Sequence, residues 1–170
     1  VALLIETLNS LDSKKLPNNV FGSCTVQEEV GLRGAITSSY TIAPDININL
    51  EVGVAGDYPG MNRNLAQEKV GAGPSIFLHD SSMIPNLKLR DFCIDTAKNL
   101  NIPIQFSVIS GYGEDGAAAQ KSFGGIPAIN IGIPTRYLHS HNGIIDLNDF
   151  IKAKMLVKNL VENLDETTVK

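Results

Sequence analysis

The stretch SCTVQEEVGLRGA, residues 23–35, decides how the rest of the chain is read. It continues a β-rich apolar run, NVFGSCTV (19–26), which reads as a strand heading into a core. That run ends in two adjacent carboxylates, Glu28 and Glu29, and Gly31 follows almost at once. Paired negative charges at the mouth of a buried strand call for a chemical reason.

Outward from this point the chain alternates helical and extended patterns. Residues 1–11 carry apolar side chains at helical spacing, and 31–40 fits a short helix before the Pro44-Asp45 turn. ININLEVGVA (46–55) alternates with period two until GDYPG breaks it, and PSIFLHD (74–80) is a further strand. Residues 86–101 form an amphipathic helix, followed by the strand PIQFSVI (103–109). The loop SGYGEDGAAA runs into a short helix that stops at Gly124-Gly125. PAINIGI (127–133) is a fully apolar strand, 147–163 a final amphipathic helix, and DETTVK a frayed end. Helices alternating with strands indicate an α/β fold layered around a largely buried sheet.

The chain has 170 residues, one domain's worth, with 43% hydrophobic and 19% charged residues, which is ordinary for a globular protein. A net charge of −4 without a basic cluster argues against nucleic acid as a partner. No run approaches the roughly 20 apolar residues that span a bilayer, so no membrane association is expected. Cys24 and Cys93 both lie in apolar segments and read as buried free thiols. The chain opens VALLIETLNSL, without methionine and in what reads as mid-helix, so a fragment is expected.

Polar residues gather just beyond the carboxyl ends of the apolar strands: Glu28 and Glu29, Asp57, Glu114 and Asp115, and His139. In open α/β sheets that edge is where ligands bind. Gly111, Gly113 and Gly116 match the G-x-G-x-x-G dinucleotide pattern between a strand and a helix. Glu114 and Asp115 would set negative charge where a pyrophosphate sits, and no acid follows the next strand to hold a ribose. Those glycines therefore suit close approach of backbone to a substrate, or a tight turn.

Two adjacent carboxylates suit a metal-assisted hydrolase. One can ligate a metal while the other faces the space beside it and takes a proton from a water whose pKa the metal has lowered. Histidine and further carboxylates at neighbouring strand ends would complete the ligand sets. A glycosidase needs two carboxylates facing each other across a sugar at about 5 Å or more, which sequence neighbours rarely achieve.

The motifs TVQEEVGLRGA, LEVGVAGDYPG, GAGPSI, GYGEDGAAA and GIPAINIGIPTRYLHS, with the closing helix, together resemble one family over nearly the whole chain. It is that of the dinuclear metallo-aminopeptidases that assemble as tetrahedral dodecamers, including deblocking and glutamyl aminopeptidases, some once labelled endoglucanases. The resemblance implies a zinc-peptidase-like α/β/α sandwich, a mixed sheet covered by helices on both faces, incomplete at its N-terminal side. It implies Glu28 as general base, Glu29 and His139 as ligands of one metal, and Glu51 as ligand of the other. Asp57 is Glu51's rival for that role and reads as structural. Gly111, Tyr112, Gly113, Glu114 and Asp115 would line the substrate pocket. Two divalent ions, zinc or cobalt, about 3.5–4 Å apart would act on the scissile bond of a peptide substrate. As a metal ligand with an outer-shell partner, His139 is expected to be buried and His141 exposed.

The sequence departs from the family pattern in places. Tyr112 interrupts a glycine run, Glu114 replaces a threonine, and Gly143 stands where a glutamate is usual. A bridging aspartate, a second histidine and the dimerisation domain would all lie ahead of residue 1. The resemblance therefore implies that residues 1–170 are the C-terminal portion of a catalytic domain and inactive alone. The whole protein would be a cytoplasmic homo-oligomer, a dodecamer built from dimers. The alternatives are a catalytically silent homologue and a carbohydrate-acting hydrolase.

Overall fold

The computed structural model describes residues 1–14 and 16–169. Along the chain run α1 (Ala2–Ser10), α2 (Arg33–Ile42), β1 (Asn47–Val54), β2 (Ser75–His79), α3 (Leu87–Asn99), β3 (Gln105–Val108), α4 (Asp115–Gln120), β4 (Ala128–Thr135) and α5 (Leu147–Asn163). The strands form one sheet in the order β1-β4-β2-β3. β1 is parallel to β4 and β2 to β3, while β2 meets β4 antiparallel, so the sheet is mixed.

The apolar run read as a fully buried strand is β4, and every one of its residues is buried. Its side chains alternate between faces. Ile129 and Ile131 join Ile76 of β2, Leu89, Cys93 and Ala97 of α3, and Leu156, Val157 and Leu160 of α5 in the main core. Each such fully buried side chain of leucine or isoleucine size contributes about 1.5–3 kcal/mol relative to exposure. Ile133 continues this face, packing with Leu3 of α1 and Ala153 of α5. The recurrence of Ala153, Leu156, Val157 and Leu160 is the helical stripe of the sequence, and Asp146 caps the helix by accepting the Asn148 N–H at 2.7 Å.

On the opposite face Ala128 packs with Ala117 of α4 and Met83. There Gly116 lies so close to the Asn130 carboxamide that a β-carbon would collide with it, which brings the start of α4 directly onto β4. α2 packs on α4, and α1, α3 and α5 cover the other side, so helices flank both faces as expected. Among the described residues no helix is long and apolar enough to cross a membrane.

Two segments depart from expectation. Residues 19–26 form no strand; Phe21 and Val26 are exposed. The segment runs beside α2 instead of another strand, and the Val26 carbonyl accepts the Gly34 N–H at 2.9 Å, so the apolar run has no ladder to join. Cys24 lies in it and is exposed, while Cys93 is buried; both are free thiols. The C-terminal tail is tied down rather than frayed as far as it is described. Asp165 accepts from the Thr167 N–H and hydroxyl at 2.8 and 2.7 Å, and Val169 packs on the main core.

Side chains also brace the loops. Buried Asp149 in the first turn of α5 accepts the N–H groups of Gly71 and Gly73 at 2.7 and 2.8 Å. At the sheet edge, the Gln67 carboxamide exchanges two hydrogen bonds with the backbone of Val108, at 2.9 and 3.0 Å, as a neighbouring strand residue would.

Glu68 is buried against Gly53 of β1. Burial pushes its carboxyl up to about 7, although the Ser75 and Ser107 hydroxyls draw it down. Between the ordinary value of 4.5 and about 7, the unfolded chain ionises while the folded chain keeps its proton. Stability therefore falls as pH rises through that window, by a total on the order of 3 kcal/mol. Glu68→Gln should match the wild type near pH 4 and exceed it at pH 8. Urea midpoints measured across this range check the effect; a difference that does not grow with pH would refute it.

Candidate active site

Glu28 and Glu29 lie in a turn leading into α2 rather than at a strand end. The Glu28 carbonyl accepts the N–H groups of Gly31 and Leu32 at 3.1 and 2.9 Å. Gln27 and Leu32, on either side, have φ of 60° and 56°. The same left-handed backbone recurs across the cleft at Tyr137 and His139, with φ of 59° and 58°. Such conformations are unfavourable for side chains other than glycine, asparagine and aspartate, and they cluster at functional sites.

These two strained turns bring the predicted ligand pair together: His139 Nε2 lies 3.1 Å from Glu29 Oε1. His139 is nevertheless exposed, contrary to expectation, at 63% of its side chain. The turn after β4 carries it clear of the sheet, and His141 two residues on is exposed as well.

Glu28, Glu29, Glu51, Tyr112, Glu114 and His139 line one cleft of about 200 Å³, walled further by Gly111, Gly113, Val52 and Leu138. Asp115, read as part of the same loop, is instead the first residue of α4 and does not line the cleft. Its buried carboxyl accepts the Thr25 hydroxyl and so anchors the turn bearing Glu28. A larger hollow of about 380 Å³ between α2 and α4, walled by Ile36, Tyr40, Ala118 and Phe123 among others, contains no carboxylate. Of these two hollows only the smaller is lined by carboxylates.

Three acids of the cleft, Glu28, Glu51 and Glu114, hold their protons more tightly than usual. Partial burial raises Glu28, with the Glu51, Glu29 and Asp115 carboxylates adding to it and His139 opposing. Burial likewise raises Glu51, against the Val52 N–H that its Oε1 accepts at 2.9 Å. Glu114 is 1% exposed, and burial together with Asp80, Glu51 and other carboxylates pushes it up to about 9. Tyr112 is raised by burial too; its hydroxyl donates to the Val52 carbonyl at 2.9 Å, and its ring rests tilted on Phe77.

Asp57 does not enter the cleft. Its carboxyl takes a two-pronged ion pair from Arg136, Nε at 2.8 Å and Nη2 at 2.5 Å, which holds it below the usual carboxylate range. The pair ties the loop after β1 to the turn bearing His139. Arg136, Val52 and Leu138 received no role from the sequence. Leu138 and Arg136 stood inside the TRYLHS motif, but nothing local signals the partner of an arginine so far along the chain.

Among the described residues no three His, Cys, Asp or Glu side chains converge to hold a metal by themselves. Glu29 and His139 nonetheless present a carboxylate oxygen and an imidazole nitrogen side by side, two donors of the kind zinc takes in sets of four. Burial raises both Glu28 and Glu51, neighbouring carboxylates add to it, and a cation among them would offset both effects. The donor set fits part of a metal centre.

A mixed sheet flanked by helices, with acids and a histidine gathered in a cleft beyond β1 and β4, defines an α/β domain of the zinc-peptidase-like type. The profile of the M42 glutamyl aminopeptidase family matches residues 1–156, and the chain belongs to that family. It is 31% identical over 167 residues to the glutamyl aminopeptidase of Lactococcus lactis, covering 98% of this chain and 46% of that one. Among solved structures, the TET aminopeptidase of a marine-sediment Thaumarchaeota archaeon superposes with a TM-score of 0.94 at 44% identity, covering 98% of this chain and 47% of that one. The TET1 peptidase of Pyrococcus horikoshii, which can assemble into a tetrahedron or a large octahedral shell, superposes with a TM-score of 0.80 at 30% identity, covering 95% and 46%. The chain thus spans about half the length of these relatives.

Proposed function

We propose that this chain carries part of the active site of a metal-dependent aminopeptidase, which removes N-terminal residues from peptides. The observation that carries this reading is the Glu29–His139 contact in a cleft shared with Glu28 and Glu51. Glu29 and His139 would hold one divalent ion, zinc or cobalt, and Glu51 would serve a second. When bound, such ions polarise the scissile carbonyl and make a water nucleophilic near neutral pH. Residues outside this chain would supply the remaining ligands, in keeping with relatives about twice as long. Residues 1–170 would then be the C-terminal portion of the catalytic domain.

Glu28 acts as general base. It takes a proton from the attacking water and passes it to the leaving amine. Its raised proton affinity, from burial and neighbouring carboxylates, suits that exchange. Tyr112 and the Gly111–Gly113 backbone position the substrate's first residue, and Asp115 positions Glu28 through Thr25. The whole protein would form a homo-oligomer of the tetrahedral dodecamer kind, as the likeness to TET1 suggests.

The full-length protein should hydrolyse aminoacyl-anilides when zinc or cobalt is present and stop when a chelator removes it. Release of reducing ends from a β-glucan, with no anilide cleaved, would overturn the reading in favour of a carbohydrate-acting enzyme.

A further inference from the structure

We propose that Asp57 and Arg136 are positioning residues for the metal centre. Their ion pair holds the turn that carries His139, and so sets how tightly Glu29 and His139 take up a divalent ion. The inference rests on the aminopeptidase reading and adds to it the residues that keep a ligand in place.

Packing does not fix the imidazole. The side chains of His139 and Glu29 are 63% and 70% exposed, so the place of the ring follows from the backbone beneath it. That backbone is left-handed at both Tyr137 and His139, with φ of 59° and 58°. Side chains other than glycine keep such conformations only where their surroundings over-determine them. The turn's own hydrogen bonds do not meet that need. The Arg136 and Ile144 backbones pair in both directions, at 2.9 and 3.1 Å, and the Ser140 hydroxyl donates to the Tyr137 carbonyl at 2.6 Å. These bonds close the turn on itself but would let it swing as a unit on the end of β4.

Two contacts tie it down, both to the loop after β1. The Asp57 carboxylate accepts from Nε and Nη2 of Arg136 at 2.8 and 2.5 Å. Beside it the Tyr58 ring lies tilted against the Tyr137 ring, with centroids 4.6 Å apart. Two parallel bonds from a planar guanidinium fix orientation as well as distance. The Asp57 side chain is 11% exposed, so salt and water screen this pair less than one at the open surface. Arg136 stands three residues before His139, and any shift of the fork is passed along the backbone to the imidazole.

Asp57→Asn keeps the shape of the side chain but sets an N–H against one arm of the fork. In the full-length protein it should weaken zinc binding, read by competition with a chromophoric chelator, by at least about tenfold, the lower end of what groups supporting a metal ligand are worth. Arg136→Lys keeps the charge without the fork, should show the same loss in smaller measure, and serves if Asp57→Asn fails to fold. Excess zinc should return kcat on an aminoacyl-anilide to near the wild-type value in Asp57→Asn, since the proposed base and ligands are untouched. Asp149→Asn instead loosens the brace on Gly71 and Gly73, and should lower stability while leaving zinc affinity unchanged. In the metal-free protein, Asp57→Asn should quicken hydrogen exchange at Arg136, Ser140 and Ile144 while β4 keeps its protection. Zinc affinity within roughly twofold of the wild type in Asp57→Asn would overturn the assignment, being well short of the effect of a supporting group. So would an equal loss in Asp149→Asn, or unchanged exchange over residues 136–144. A wild-type protein that neither takes up zinc nor cleaves any anilide would bring down the aminopeptidase reading, and the claim on zinc affinity with it. The exchange measurement then decides by itself whether the ion pair holds the turn.

Discussion

Glu28→Gln in the full-length protein should lower turnover by at least about 10²-fold, the usual contribution of a general base, while leaving metal content nearly unchanged. The amide preserves the shape of the side chain but has no lone-pair site basic enough to take a proton from water. Glu28 is the acid of the pair that does not touch His139, and its surroundings already favour the protonated form through burial and three neighbouring carboxylates. Both features suit a group that must accept a proton and release it again. Steady-state rates alongside metal analysis by mass spectrometry would check this. A variant retaining more than about a tenth of the wild-type rate would assign the base to another residue, since a general base is worth at least about 10²-fold.

Glu29→Gln should do the converse, emptying the metal centre first and losing activity as a consequence. A neutral amide is a poor donor to a divalent ion, and the loss leaves His139 with no charged partner at 3.1 Å. Affinity should drop by no less than the roughly 10–100-fold that follows from disturbing outer-shell groups alone. Excess zinc or cobalt should therefore restore part of the Glu29→Gln activity but none of that lost in Glu28→Gln. Equal metal content in the two variants would undo the division of roles.

The parts of the fold legible in the sequence are those whose burial is unambiguous. β4 announced itself because every position but Asn130 is apolar or small, as a central strand covered on both faces requires. α5 did so through its stripe from Ala153 to Leu160. Residues 19–26 misled because β-propensity reports a side chain's fitness for a pleated surface and not whether a partner strand is available. The gathering of Glu28, Glu29, Glu51 and His139 was legible only through the resemblance of several motifs at once. No local rule places a turn before α2 beside a turn after β4. The left-handed backbone at Gln27, Leu32, Tyr137 and His139 left no trace, since none of them is the glycine that would have marked it. His139 was expected to be buried because a ligand was imagined at a strand end, whereas the turn lifts it into the open.

The two-sided bond between the Gln67 carboxamide and the backbone of Val108 has a bearing on colloidal behaviour. Among the described residues β3 is the outermost strand of its end of the sheet, and Phe106 and Val108 on it are exposed. An open edge of that kind recruits the edges of other chains. Gln67 occupies it from within the molecule, with a side chain too short to be extended by a further strand. Whatever loosens the loop carrying Gln67, whether heat, a cut or a substitution, uncovers a sticky margin before the core has opened. Precipitation of residues 1–170 should therefore begin from a state in which the rest of their fold is still intact.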